Sequence, residues 1–371
     1  MIRAAICNNM VTPYTNRLFN HIFGTRRLEL DVISCTVREG IRTWAGDYSK
    51  SYRHVILKGF EIPLRTTRIS HINSGMWSAL SNSNPDVVAI NGIYPTMIIA
   101  AAWARAHRVP LTFVTDGWRH TMPHSLYHRM IRPLILNHCA SIICASEKGR
   151  RYFMDLGVDP RQIFIAPLTP AWDAPGEVPG FEERRWHLVW CGRLNDSPKN
   201  IGFFVELAIA MQKRLSDFQC RVIGDGPLRP WMLHRLSEAG VKFDYTANIP
   251  PDKMANEFSQ SRMLALPSKL EAWGLVCNEA MQCGTPCIVS HFTGVADELV
   301  KDGDSGFVLP LNVVEWTQKI APPVTDPLIW TKLSEAARRV SALFKVETSA
   351  EKYIDGLLFA ASARKSQYEG S

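Results

Sequence analysis

One stretch, Ala265 to Glu298, constrains what this chain can fold into more than any other. It grows out of the apolar run Met263-Leu264-Ala265-Leu266, short enough for a buried strand. Pro267 and Ser268 end the run, and a loop carrying Glu271 follows. A helix is expected to open near Gly274 and to stop at Gly284, with Pro286 just beyond. Cys287-Ile288-Val289 then reads as the next strand. A strand, loop, helix, strand unit of this kind belongs to a parallel sheet. Its loop lies at the carboxyl ends of the strands, where open α/β sheets bind ligands.

Glu279 is the odd residue of the expected helix. At about 100° per residue, Val276, Ala280 and Cys283 fall on one face, Asn278 and Gln282 fall opposite, and Glu279 sits at the edge of the apolar face. A carboxylate placed there needs donors to offset its desolvation. Glu271 precedes it by eight residues, so the two carboxylates lie up to ~12 Å apart along the axis. The free N–H groups at Gly274 and Leu275 fall between them, and a helix start is an anion site. The spacing fits a sugar, a diphosphate and a ribose laid past the helix start. It equally fits a Glu279 paired with a nearby Arg or Lys and a Glu271 that is only solvated.

With 371 residues the chain is long enough for two ordinary domains with cores of their own. Its 46% hydrophobic and 21% charged residues are those of a soluble globular protein. Apolar runs such as Pro95 to Ala104 are too short to span a bilayer, and no signal pattern precedes Asn8. Nine scattered cysteines, five of them in or beside expected strands (Cys7, Cys35, Cys144, Cys191, Cys220), point to buried free thiols and a reducing, cytoplasmic compartment. Cys283 and Cys287 flank Gly284-Thr285-Pro286 without a Cys/His set at metal spacing, and His124/His128 at i, i+4 reads as a helix face, so no metal is expected.

The net charge of +7 is unevenly placed: residues 1 to 170 hold 20 Lys and Arg against 10 Asp and Glu. Arg53, Lys58, Arg65 and Arg68 precede one helix, and Arg119, Arg129 and Arg132 share another segment. An anionic membrane surface or a lipid diphosphate is the expected partner, and nucleic acid is not, because no nucleic-acid motif is present. Ordinary solvated faces would give the same composition.

Strands expected at 3–9, 28–36, 54–58, 87–90, 111–115 and 141–145 alternate with helices at 13–23, around Trp77 and Leu80, at 96–107 and from Ser146 to Gly157. Pro167, Pro170, Pro175, Gly176, Pro179 and Gly180 then punctuate a linker. The alternation restarts with a strand at 187–191, a helix at 201–214, a strand at 220–223 and a helix at 228–239. A strand at 241–245 and a helix at 252–259 lead into the unit described first, and helices at 334–344 and 350–361 close the chain. No G-x-G-x-x-G follows the first strand, so a dinucleotide fingerprint is absent.

The segment EAWGLVCNEAMQCGTPCIVS resembles the E-x7-E signature of the retaining family-4 glycosyltransferases, which have the GT-B fold. Four further pieces fit in order: Gly192-Arg193-Leu194 with Lys199-Asn200, Gly224-Asp225-Gly226-Pro227, Leu266-Pro267-Ser268, and Asp302-Gly303 with Gly306. The resemblance is specific across about residues 187 to 310 and collinear elsewhere. It implies an α/β chain of two Rossmann-like, doubly wound parallel-sheet domains facing across a cleft. These would be an acceptor-side domain over 1–167, a linker over 168–185, a nucleotide-sugar domain over 186–345, and a final helix over 346–371 that returns to the first domain.

The same resemblance implies roles. Arg193, Lys199 and the N–H groups of Gly274 and Leu275 would hold the donor diphosphate without a metal or other cofactor. Gly224 would pass close to the nucleotide, Glu279 would hold the ribose, and Glu271 would hold a sugar hydroxyl near the reaction centre. Relatives often have a His after the strand at 111–115, where this chain has Asp116, with His120 four residues on; both are candidates for the catalytic face. A helix cap and a surface His are the other readings of Asp116 and His120. The loop from Asn195 to Pro198 is one residue longer than the commonest form, and NNMVTPYTNRLF replaces the glycines many relatives carry after the first strand.

The expected activity is retaining transfer of a sugar from a UDP- or GDP-sugar to an acceptor hydroxyl. The acceptor would be a lipid-linked glycan of exopolysaccharide or lipopolysaccharide synthesis, met at the inner face of the plasma membrane. A small soluble acceptor, a nucleotide-sugar epimerase, and an inactive nucleotide-sugar-binding protein are the alternatives.

Overall fold

The computed structural model describes residues 1–39, 48–65 and 68–368. The chain forms two compact units, Met1–Ala171 with Val346–Ser371, and Trp172–Lys345.

In the first unit β1 (Ile2–Asn8), α1 (Pro13–Gly24), β2 (Leu28–Ser34) and β3 (Arg53–Ile56) are followed by an antiparallel hairpin, β4 (Phe60–Arg65) with β5 (Arg68–Ile72). Then come α2 (Met76–Ser83), β6 (Val87–Asn91), α3 (Pro95–Ala106), β7 (Leu111–Thr115), α4 (Leu126–Leu136), β8 (Cys139–Cys144), α5 (Glu147–Asp155) and β9 (Ile163–Ile165). Seven strands make one parallel sheet in the order β3-β2-β1-β6-β7-β8-β9. Its central strands are apolar on both faces, as in Ala4 to Cys7 and Val87 to Ile90, because helices cover both sides. Thr12 opens α1 with a reciprocal capping box to Thr15, and Pro13 supplies the fixed φ of the first turn.

The second unit runs β10 (Trp186–Cys191), α6 (Ile201–Arg214), β11 (Gln219–Ile223), α7 (Arg229–Glu238), β12 (Lys242–Thr246), α8 (Met254–Ser259), β13 (Ser261–Leu266), α9 (Leu275–Gln282), β14 (Cys287–Ser290), β15 (Gly306–Leu309), α10 (Val313–Thr325) and α11 (Pro327–Ser341). Six parallel strands lie in the order β12-β11-β10-β13-β14-β15. The order reverses between β10 and β13, so the loops after these two strands face the crevice where such sheets take ligands. Asp326 caps α11 by accepting from Leu328 and Ile329 N–H, with Pro327 at the first helical position.

The last helix, α12 (Val346–Tyr368), belongs to the first unit. Ala350, Tyr353, Ile354, Leu357 and Ala360 are buried in the cluster that also holds Ala4, Ile6, Phe19 and Val32. Ser141 Oγ donates to Gly356 O at 2.8 Å, Ser349 Oγ donates to Pro167 O at 2.7 Å, and Arg27 pairs with Glu351.

Several elements depart from the sequence reading, and proline is the usual reason. The hairpin β4–β5 contains Pro63, α4 contains Pro133, and α10 contains Pro322 and Pro323. Each interrupts a pattern that neighbours in the fold nevertheless complete. His124 lies before the first residue of α4, whose cap is Ser125, so the His124/His128 spacing is not a helix face.

Candidate functional site

The site is built on the loops after β10, β11 and β13 of the second sheet, the first and last of which flank the reversal point. After β10 the chain turns through Gly192, Arg193 and Leu194. After β11 it turns through Gly224, Asp225 and Gly226. The two turns are zipped together: Gly192 N–H donates to Ile223 O, Leu194 N–H to Asp225 O, and Leu228 N–H to Leu194 O, each at 3.0 Å. Gly224 has φ +133°, and a Cβ there would lie 1.8 Å from Gly192 O. Only glycine lets these backbones touch, which gives the Gly-Asp-Gly turn a physical purpose beyond its tightness.

The loop after β13 is tied to the same turn. Asn200 Nδ2 donates to Pro267 O at 3.0 Å, and Lys269 N–H donates to Pro198 O at 2.8 Å. These bonds bring Lys199 beside Glu271. Lys199 Nζ forms an ion pair with Glu271 Oε2, and Ser268 Oγ donates to the same oxygen at 3.3 Å. Ser268 is fully buried, and its carbonyl accepts from Ser290 Oγ. The backbone of Glu271 is held on both sides: its N–H donates to Phe292 O at 3.0 Å and its carbonyl accepts from Gly294 N–H at 3.2 Å. Glu271 is thus neither a loop ornament nor merely solvated. Ser268 had no role in the sequence, and nothing but its place before the loop hinted at one.

Gly274 caps α9 with φ +112°, a left-handed conformation at a position where Cβ would press on Leu266 and Val295. The turn aims the first N–H groups of α9, at Leu275 and Val276, out of the helix end. Along α9 the buried side chains are Cys277, Asn278, Ala280 and Met281. This corrects the expected face: Asn278 is buried, and its Oδ1 accepts from Trp273 Nε1 at 2.8 Å. The helix has neighbours on two sides, α8 and α11 as well as β13 and β14, so a single apolar stripe does not describe it.

Glu279 lies about 7.5 Å along the axis from the helix start. Half-buried, it has no hydrogen-bond or ion-pair partner among the described residues, so the alternative reading of a pairing with an Arg or Lys is not realised. Burial raises its carboxyl from 4.5 to about 8. Side chains around it include the thiols of Cys191 and Cys283, themselves pushed up to about 12, chiefly by burial. Arg193, half-buried, lies in the turn that follows β10.

In the first unit Asp116 and His120 follow β7, and both are exposed. Asp116 caps no helix, because the next one starts at Leu126. Gly117 N–H donates to Thr115 Oγ1 at 3.0 Å, and the His120 ring meets Trp118 edge-on at 4.9 Å. Sequence reasoning passed over a polar cluster elsewhere in this unit, with Glu39 and His71 buried. Asn9 Nδ2 donates to Glu39 Oε1 at 2.6 Å, and His71 Nε2 lies 3.1 Å from the same oxygen. Residues 9, 39 and 71 are too far apart in the chain for any spacing to announce them. The side chains of Arg65 and Arg68 lie outside those described.

Among the described residues no group of three or more His, Cys, Asp or Glu converges as a metal site, and no helix is long and apolar enough to cross a membrane. All nine cysteines are free.

Residues 177–340 match the family model described as Glycosyl transferases group 1, and residues 24–168 match that of Glycosyltransferase Family 4. An alpha-D-kanosaminyltransferase of Streptomyces kanamyceticus is 27% identical over 158 residues, 42% of this chain and 40% of that protein. A D-inositol 3-phosphate glycosyltransferase of Rhodococcus opacus is 33% identical over 231 residues, 57% of this chain and 50% of the other. The chain thus spans about half the length of the curated relatives it matches. The fold is similar to that of S. aureus TarM, crystallised with fondaparinux, alpha-GlcNAc-glycerol and UDP: TM-score 0.71, 12% identity, covering 96% of this chain and 100% of that one.

Proposed function

We propose that this chain, which belongs to the family-4 glycosyltransferases of GT-B fold, moves a sugar from a nucleotide diphosphate sugar to an acceptor hydroxyl with retention at the anomeric carbon. The observation that carries the reading is Glu279, a half-buried carboxylate with no side-chain partner among the described residues, one and a half turns beyond an anion-binding helix start. A ribose supplies the two hydroxyl donors such a carboxylate lacks, and the diphosphate attached to it falls on the N–H groups of Leu275 and Val276.

The chemistry follows from charge. Breaking the sugar–phosphate bond leaves negative charge on the diphosphate. Arg193, Lys199 and the start of α9 are the groups that would neutralise it as it develops, the main electrostatic task of such a site. Lys199 is held in place by Glu271, so its ammonium is positioned before the diphosphate arrives. Glu271, steadied by Ser268 and by backbone bonds on both sides, is then the group to orient a donor-sugar hydroxyl. On this reading Arg193, Lys199 and the start of α9 together supply the neutralisation that a divalent ion gives elsewhere, and the reaction runs without a metal.

The acceptor we favour is lipid-linked, because the excess of Lys and Arg over Asp and Glu falls on residues 1–170. The D-inositol 3-phosphate glycosyltransferase relative supports a small soluble acceptor as the second reading. The test is a donor screen with UDP- and GDP-sugars, each with a lipid-linked and a small soluble acceptor. Released nucleotide and an α-linked product from an α-linked donor are the expected results. A β-linked product overturns retention, and nucleotide-sugar binding without any transfer overturns the enzyme reading.

A further inference from the structure

We propose that the outer face of α4 is a docking surface for an anionic phospholipid membrane; this deepens the lipid-linked reading above and rests on it for its purpose. The helix LYHRMIRPLIL is fixed in orientation by its inner face. Ile135 is buried, and Ile131 and Leu136 pack against the same core. Arg132 is buried too, its Nη1 donating to Tyr152 Oη at 2.6 Å and its Nη2 to the carbonyl of Pro123. Ser125 Oγ closes the amino end by accepting from His128 N–H.

The opposite face is apolar and open. Leu126, Met130 and Leu134, spaced four residues apart, are 71%, 63% and 61% exposed, and Tyr127 beside them is 42% exposed. Single exposed apolar residues need no explanation, but three in one stripe on a helix whose other face is already satisfied do. The surroundings give the sign of the partner. From Gly117 to Ser146 the chain has no Asp or Glu, while it has the exposed Arg119 and Arg129 and four histidines. Arg129 is exposed next to Met130 in the helix, and Arg105, at the end of α3, meets His138 just past the end of α4. Arg119 is engaged with Asp155 at 2.6 Å and contributes less.

An apolar stripe flanked by cations fits a bilayer better than an acidic protein. The stripe is about 12 Å long, from eight residues at ~1.5 Å each. That is narrow for a protein interface of about 800 Å² per partner. It suits a helix lying in the membrane plane with its apolar side chains ~5–10 Å deep and its cations among the headgroups.

The experiment is co-sedimentation of the full chain with vesicles of phosphatidylcholine alone or mixed with phosphatidylglycerol, at low and high salt. Binding to the anionic vesicles that weakens with salt is expected, with little binding to the neutral ones. The pair Met130→Glu/Leu134→Glu should lose at least tenfold in partitioning and Arg129→Glu about five- to tenfold. Leu328→Glu, at a 76% exposed leucine of the second unit, should leave binding unchanged. Should the double Glu variant not fold, Met130→Gln/Leu134→Gln makes the same comparison. Absence of wild-type binding to anionic vesicles, or wild-type partitioning by either stripe variant, overturns the proposal. Vesicle binding that depends on the stripe, without turnover of any nucleotide sugar, supports docking while overturning the transferase reading.

Discussion

Replacing Glu279 by Gln should stabilise the fold and damage the function, and the two effects should separate by pH. Burial raises this carboxyl from 4.5 to about 8. In the unfolded chain it ionises near 4.5; in the folded chain it keeps its proton up to about 8. Between these values the folded state binds more protons, so stability is fullest below 4.5 and is lost as pH rises through 8. The displacement sets a ceiling of about 5 kcal/mol, and partial exposure with local relaxation reduces the expected loss to about 1–3 kcal/mol. Urea unfolding at pH 5 and pH 8.5 reads this directly: Glu279→Gln should match wild type within about 0.5 kcal/mol at pH 5 and exceed it by 1–3 kcal/mol at pH 8.5. Binding runs the other way. A carboxylate accepting ribose hydroxyls must give up its proton, so affinity for UDP-glucose, whose diphosphate does not titrate here, should rise about 30-fold from pH 6.5 to 9 in wild type and stay flat in Glu279→Gln. At pH 9 the variant should bind about 1.5–3 kcal/mol more weakly. Equal stabilities at pH 8.5 together with a flat wild-type affinity profile would refute the reasoning, since both follow from one half-buried, unpartnered carboxylate.

Three further outcomes are expected. Arg193→Ala should lower kcat more than it raises KM, because its contact strengthens as charge develops on the leaving diphosphate; a kcat within about threefold of wild type removes Arg193 from that role. Turnover should survive EDTA, and loss on chelation with recovery on added Mg²⁺ or Mn²⁺ would show that Arg193, Lys199 and the start of α9 do not suffice. Gly224→Val should cost about 2–4 kcal/mol in urea unfolding, since its Cβ would meet Gly192 O at 1.8 Å; a cost under about 0.5 kcal/mol would mean the two turns part freely.

Much of the fold was readable because its strands are short, apolar on both faces and bounded by turn residues. Val87–Asn91 and Leu111–Thr115 announce themselves this way. Elements completed by tertiary neighbours were not readable, above all where proline stands inside them, as Pro133 does in α4. In the site, the helix start at Gly274 and the odd position of Glu279 were visible from residue types alone. The pairing of Lys199 with Glu271 was not, because 72 residues separate them and only the adjacency of β10 and β13 brings them together. The burial of Asn278 was hidden for a similar reason: a helix between two layers has no single polar side.

That adjacency also explains why the site needs several glycines and one charged pair rather than a single motif. The loops after β10, β11 and β13 each end a strand of the same sheet, and each must come within backbone contact of the next to put Lys199, Glu271 and the start of α9 in one place. Gly224 permits the first contact, and Asn200 and Lys269 fasten the second through carbonyls of Pro267 and Pro198. The half-buried Lys199–Glu271 pair then follows from position: neither charge is left uncompensated, and each is held where a ligand of opposite demand would meet it. Glu279 is the exception, half-buried without a compensating cation among the described residues, and on the proposed reading ribose hydroxyls are the donors it meets.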